Sequence, residues 1–131
     1  MAFDPQKFLE LARDLAERAN DQAALRSAIS RAYYAAFLSA RAVAETGGRR
    51  FDTPHRQVWE HLALNMSFID LKGLRLRRSR NKADYRLGVV FTPQEAKTSI
   101  DRAEQILEML AGAAFTSRPH KVRKARWRSK S

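Results

Sequence analysis

The chain has 131 residues, no cysteine, and 25 Lys/Arg against 14 Asp/Glu, for a net charge of +11. That length suits one domain with a modest core, the lack of cysteine excludes disulfides and thiolate metal sites, and no stretch approaches the ~20 apolar residues of a membrane span. A surplus of positive charge this large favours polyanionic partners: RNA, DNA, nucleotides or an acidic protein.

The N-terminus, "MAFDPQKFLELARD", is charged early and has no unbroken apolar run, unlike a secretory signal; a cytoplasmic protein is the expectation. Alanine is abundant, 21 of 131 residues, and Val/Ile are sparse, which favours helix over strand. Asp4-Pro5 reads as a cap followed by proline at the first helical position. Phe8, Leu11, Ala12, Leu15, Ala16 and Ala19 then mark one apolar face, predicting a helix over about 5–20. Asn20-Asp21 breaks and caps. A second helix runs over about 22–45 and stops before Gly47-Gly48. It is apolar around most of its circumference, so it should be the buried central helix.

Thr53-Pro54 repeats the cap-and-proline pattern and starts a short helix bearing Val58 and Leu62, with Leu64 near its end. "NMS" at 65–67 is a break. A fourth helix covers about 68–86, with Ile69, Leu71, Leu74 and Leu76 apolar and Gly73 weakening its first half. Thr92-Pro93-Gln94-Glu95 is a capping box. It opens a helix over about 93–115 with a core stripe of Ala96, Ile100, Ala103, Ile106, Leu107, Leu110 and Ala114. The fold class is therefore all-α: an up-down bundle of four main helices plus one short helix, spanning residues 1–115.

Residues 116–131 form a basic tail expected to be disordered. Its Lys/Arg (118, 121, 123, 124, 126, 128 and 130) supply +7 and leave only +4 for the rest of the chain. Arg118, Lys121, Arg123, Lys124, Arg126 and Arg128 are candidate nucleic-acid contacts. The three histidines make no metal pattern, since His55 and His61 are six apart and His120 is in the tail. No metal or cofactor is predicted.

Two helical stripes carry polar chemistry. On the second helix, Ser27, Arg31 and Tyr34 fall at i, i+4 and i+7. Arg31 there needs an internal acid, with Asp84 the candidate, or a ligand. On the fourth helix, "LRRSRNKADY" (76–85) places Arg78 and Tyr85 seven residues apart on one face, with Arg75 a turn earlier. Arginine offers a planar fork for phosphate, and tyrosine a platform for a base. Arg80 and Asp84 are i, i+4 neighbours suited to pairing.

Four segments, "SRAYYAAF" (30–37), "PHRQV" (54–58), "RSRNKADY" (78–85) and "TPQEAKTSIDRAEQILEML" (92–110), resemble the HEPN family (higher eukaryotes and prokaryotes nucleotide-binding domain) in order and spacing. They most resemble its small prokaryotic branch, often encoded beside a minimal nucleotidyltransferase. The resemblance implies a helical bundle, a homodimer and an RNA or nucleotide partner. It also implies a possible nucleotidyltransferase antitoxin in a toxin–antitoxin-like module. Many members are metal-independent RNases whose motif is Arg, four to six residues, then His.

Carried over, Arg78 matches the motif arginine and Tyr85 the motif tyrosine. Ala83 stands where the histidine would be, and alanine can neither take nor deliver a proton. The reading is a protein that binds RNA or nucleotide through Arg31, Tyr34, Arg78, Arg80, Asp84 and Tyr85 without standard RNase chemistry. One alternative is an RNase toxin using Arg78 with Asp84 or His55. Another is an accessory protein that binds nucleic acid through its tail.

Overall fold

Five α-helices follow one another: α1 (Gln6–Ala16), α2 (Gln22–Ala44), α3 (Pro54–Ala63), α4 (Ile69–Tyr85) and α5 (Pro93–Ser117). The structure, a computed structural model, describes residues 3–52 and 54–117, with side chains as far as 112. No strand occurs among the described residues, as the Ala-rich, Val/Ile-poor composition predicts.

α2 is the hub and packs against all four other helices. Ala24, Ala28, Ala32, Ala35, Ala36, Ala40 and Ala44 are all buried in it. With so many methyl-sized side chains, neighbours pack close on several sides at once. Leu25, Ile29 and Tyr33 supply its bulk, and Trp59, Val58, Ile69, Leu76 and Ile106 complete the inner core.

Local sequence sets the helix ends. The Asp21 carboxylate accepts from Ala24 N at 3.0 Å and caps α2. The capping box of α5 forms in full. Glu95 N donates to Thr92 Oγ1 at 3.1 Å, and Thr92 N donates to Glu95 Oε1 at 2.9 Å. Ala96, Ile100, Ala103, Ile106 and Leu110 of its predicted stripe are buried, Leu107 is partly buried, and the side chain of Ala114 is outside the described set.

Several expectations need correction. α1 ends at Ala16, not near 20, because Glu17 N and Arg18 N bond three residues back, to Asp14 O and Leu15 O, which tightens the chain into a turn. Pro5 is the N-cap of α1 rather than its first residue, although Asp4 Oδ1 does accept from Gln6 N. Leu11 and Leu71 are exposed at 43% and 55%. Leu71 is two residues, about 200° of helical rotation, from both Ile69 and Gly73, and Leu11 is as far round from Leu9, which turns each outward. Ala19 is exposed beyond the helix end. Leu64 lies past α3 and is partly buried. The expected Thr53 cap and residues 118–131 of the basic tail are outside the described residues.

Two clamps hold the α4–α5 connection onto the start of α2. Gln22 donates to Phe91 O at 2.7 Å and accepts from Phe91 N at 2.9 Å. The Arg26 guanidinium donates to Ala83 O at 2.9 Å and Arg86 O at 3.0 Å, and to Leu87 O and Val89 O. A cation on the last carbonyls of α4 also suits the negative end of that helix. The C-terminal turn of α4, which carries the polar residues discussed next, is thereby fixed against α2. No described helix is long and apolar enough to cross a membrane.

Candidate functional site

The buried side of α4 is Ile69, Gly73, Leu76, Arg80 and Ala83, alternating four and three residues as a helix face requires. Four of the five are apolar or small. Arg80 is the exception and is only 7% exposed. Its guanidinium carbon lies 5.4 Å from the ring centres of both Tyr33 and Tyr34 on α2, within cation–π range. Its Nη1 is 3.5 Å from Asp84 Oδ2, one turn further along. Its Nε is buried and meets no acceptor.

Asp84 Oδ2 also accepts a hydrogen bond from Ser30 Oγ at 3.3 Å. Ser30 is buried, and its hydroxyl is reached by Arg31 Nη2 at 3.5 Å. Arg31 therefore does not pair with Asp84; Arg80, from the same helix as the acid, holds that position. The Arg31 guanidinium rests instead over Phe8 (4.7 Å) and Tyr34 (5.3 Å). Ser27, on its predicted stripe, is exposed.

The second limb of the site comes from α3. His55 Nδ1 is 2.8 Å from the Tyr33 hydroxyl. Trp59 Nε1 donates to the same hydroxyl at 3.3 Å. An indole N–H can only donate. The Tyr33 oxygen accepts from Trp59, and whether Tyr33 or His55 donates in their mutual contact follows the imidazole tautomer. In either tautomer Nδ1 is occupied by the Tyr33 contact.

The electrostatics agree. Burial, then Arg77, Arg80 and Arg41, push the His55 pKa below its ordinary value. Burial pushes the Tyr33 phenol up to about 12, against the pull of the Trp59 hydrogen bond and of Arg77 and Arg80. Arg77 is the second cation of this group, and its Nε is also buried without an acceptor.

Lowered His55 basicity gives a pH prediction. Unfolded histidine takes up a proton below ~6.5, whereas folded His55 resists it until a lower pH. In that window the unfolded state binds more protons, so stability is fully present above ~6.5 and falls as pH drops. Urea unfolding between about pH 5 and 8 should show a shallower acid loss in His55→Gln than in the parent chain. Parallel curves would refute it.

The arrangement brings together His55, Arg31, Tyr34, Arg80 and Asp84 of the residues singled out from sequence. It leaves out Arg78 and Tyr85. Arg78 is exposed, and Tyr85 is 73% exposed. Arg78 is two residues from both Leu76 and Arg80, so it faces the opposite side of α4. Ala83 is 3% exposed and belongs to the core face. Sequence reasoning passed over Arg77, Ser30, Tyr33 and Trp59. The buried place of Arg80 could have been found from the 69-73-76-80-83 stripe, in which one charge interrupts an apolar series. The tail residues Arg118, Lys121, Arg123, Lys124, Arg126 and Arg128 lie outside the described residues. Among the described residues no group of three His, Cys, Asp or Glu could hold a metal ion.

A comparison with protein-family models matches residues 6–113 to the HEPN domain. No curated protein and no solved structure matches the chain. The matched span takes in all of α1 to α4, most of α5 and every residue of the site above. The chain belongs to the HEPN family, whose functions are related to nucleotides and RNA.

Proposed function

We propose that this protein binds RNA or nucleotide phosphate at the Arg80 recess, without standard HEPN ribonuclease chemistry, and works with a nucleotidyltransferase partner in a toxin–antitoxin-like module. One observation carries the reading. Arg80 is 7% exposed, yet its nearest acid is a loose 3.5 Å away and its Nε has no acceptor. A buried guanidinium with spare donors is costly unless an anion completes it. Arg77 adds a second cation, and Tyr33 and Tyr34 add aromatic surface. No histidine follows Arg78 or Arg80 within six residues, and His55 Nδ1 is already engaged by Tyr33. Binding is supported by these facts; proton transfer is not.

The outer face of α4 extends the same reading. Arg75, Arg78, Lys82 and Tyr85 are exposed there, and none of the three cations has an ion-pair partner among the described residues. They would add salt-sensitive phosphate contacts, as would the tail. A homodimer belongs to the same proposal.

The second reading is an RNase toxin, favoured by the closeness of His55 to the arginine group. One experiment separates the two. A labelled single-stranded RNA is titrated with the parent chain, Arg80→Gln and His55→Ala, and the RNA is then run on a denaturing gel. Arg80→Gln should weaken binding about tenfold, the scale of one charge-assisted hydrogen bond, and the RNA should stay intact. Unchanged binding sinks the proposal. RNA cut by the parent chain and spared by His55→Ala establishes the second reading instead.

A further inference from the structure

Asp84 is an odd residue to find where it is. It stands in the last turn of α4, next to its final residue, Tyr85. A negative charge there faces the negative end of the helix dipole and costs stability. It is also the carboxylate that meets the buried Arg80, and it does so loosely. Oδ2 is 3.5 Å from Arg80 Nη1 and 3.3 Å from Ser30 Oγ, both long for charge-assisted contacts. Its side chain is 28% exposed while that of Arg80 is 8% exposed. The carboxylate is thus the more solvent-exposed member of the pair.

We infer that Asp84 is a built-in placeholder for the ligand's anionic group. With no ligand, its carboxylate neutralises Arg80 and borrows the Ser30 hydroxyl. A phosphate group approaching from solvent takes both partners, and Asp84 turns out into water. The Arg26 clamp on Ala83 O and Arg86 O brackets Asp84 in sequence, so the exchange requires side-chain rotation and leaves the backbone in place. The device keeps the recess closed to weak anions. A ligand must offer Arg80 more than a carboxylate already does, which favours the multiple oxygens and higher charge of phosphate.

This inference rests on the anion-binding reading above, and its test separates the two. The Arg80 Nε–H is buried and unpartnered, so its nitrogen–proton NMR signal reports this recess and not the basic tail. The signal is assigned by its loss in Arg80→Lys. The full-length chain is titrated with inorganic phosphate. Asp84→Asn keeps the shape and removes the charge, and should reach half-saturation at about tenfold lower phosphate, a factor equal to ~1.4 kcal/mol. Asp70→Asn, the same charge change in the first turn of α4, should titrate like the parent.

Asp84→Asn that needs as much phosphate as the parent, or more, overturns the inference while leaving the anion site standing. Equal tightening in Asp84→Asn and Asp70→Asn overturns it too, because net charge alone then explains the effect. An Nε–H signal that phosphate moves in neither the parent nor Asp84→Asn removes the anion site and the placeholder together.

Discussion

Gly73→Ala should destabilise the protein by about 2 kcal/mol, in the opposite direction to helix propensity. In an exposed helix, alanine in place of glycine gains roughly 1 kcal/mol. Gly73 is not exposed; it belongs to the buried face of α4. A Cβ placed on it would fall inside the contact radius of three ring atoms of Trp59, Cδ2, Cε2 and Cε3. Trp59 is itself fully buried, among the largest side chains of the core, so the indole has no open space to retreat into. Overpacking of this kind costs roughly 1–3 kcal/mol, and more where backbone must move. Here the obstacle is a rigid ring, which puts the steric cost at the upper end and above the propensity gain.

Chemical denaturation measures the difference directly. The damage should also be felt at the site, because Trp59 Nε1 is the donor that fixes the Tyr33 hydroxyl. Displacing the indole weakens that bond and disturbs the Tyr33–His55 contact, visible in the imidazole nitrogen shifts. A Gly73→Ala protein more stable than its parent would show that the α3–α4 contact is looser than the structure has it.

Gly73 also shows what a sequence conceals. Read alone, it is a weak point in a helix; paired with Trp59 it is the cavity that admits an indole, and nothing in the sequence spacing links positions 59 and 73. Local chemistry, by contrast, was legible. The Asp21 cap, the Thr92–Glu95 box and the alanine-dense second helix each depend on residues within a few positions of one another. They predicted α2 and the start of α5 closely. The site lies between these cases. Its aromatic and cationic residue types were evident in "SRAYYAAF" and "RSRNKADY", and so was the family. The choice between Arg78 and Arg80 was not. Anchoring the stripe on Tyr85 selects Arg78, whereas the apolar residues of α4 select Arg80. Two residues of helix are 200° of rotation, so one anchor gives the outer face and the other the recess. His55 joins the recess through a contact across 22 positions, which the resemblance raised and only the fold brings about.

The Tyr33 phenol gives the second large effect, at alkaline pH. Tyr33 is fully buried, and its pKa is pushed up from 10.0 to about 12. Above pH ~10 the unfolded chain gives up this proton while the folded chain keeps it. The unfolded state then binds fewer protons, so stability falls with rising pH across that window. By the top of it the loss is about 3 kcal/mol, two units at ~1.4 kcal/mol each. Tyr33→Phe removes this particular loss. It carries a cost of its own at neutral pH, because Trp59 Nε1–H and His55 Nδ1 both lose their partner, at roughly 1–3 kcal/mol for each group left unsatisfied. The variant should therefore be clearly weaker than the parent at neutral pH, with the gap narrowing by about 1.4 kcal/mol near pH 11. Other titrating groups are common to both chains and cancel in the difference. Urea unfolding of the pair at the two pH values tests this, and a gap that stays constant would mean that the phenol titrates alike in both states.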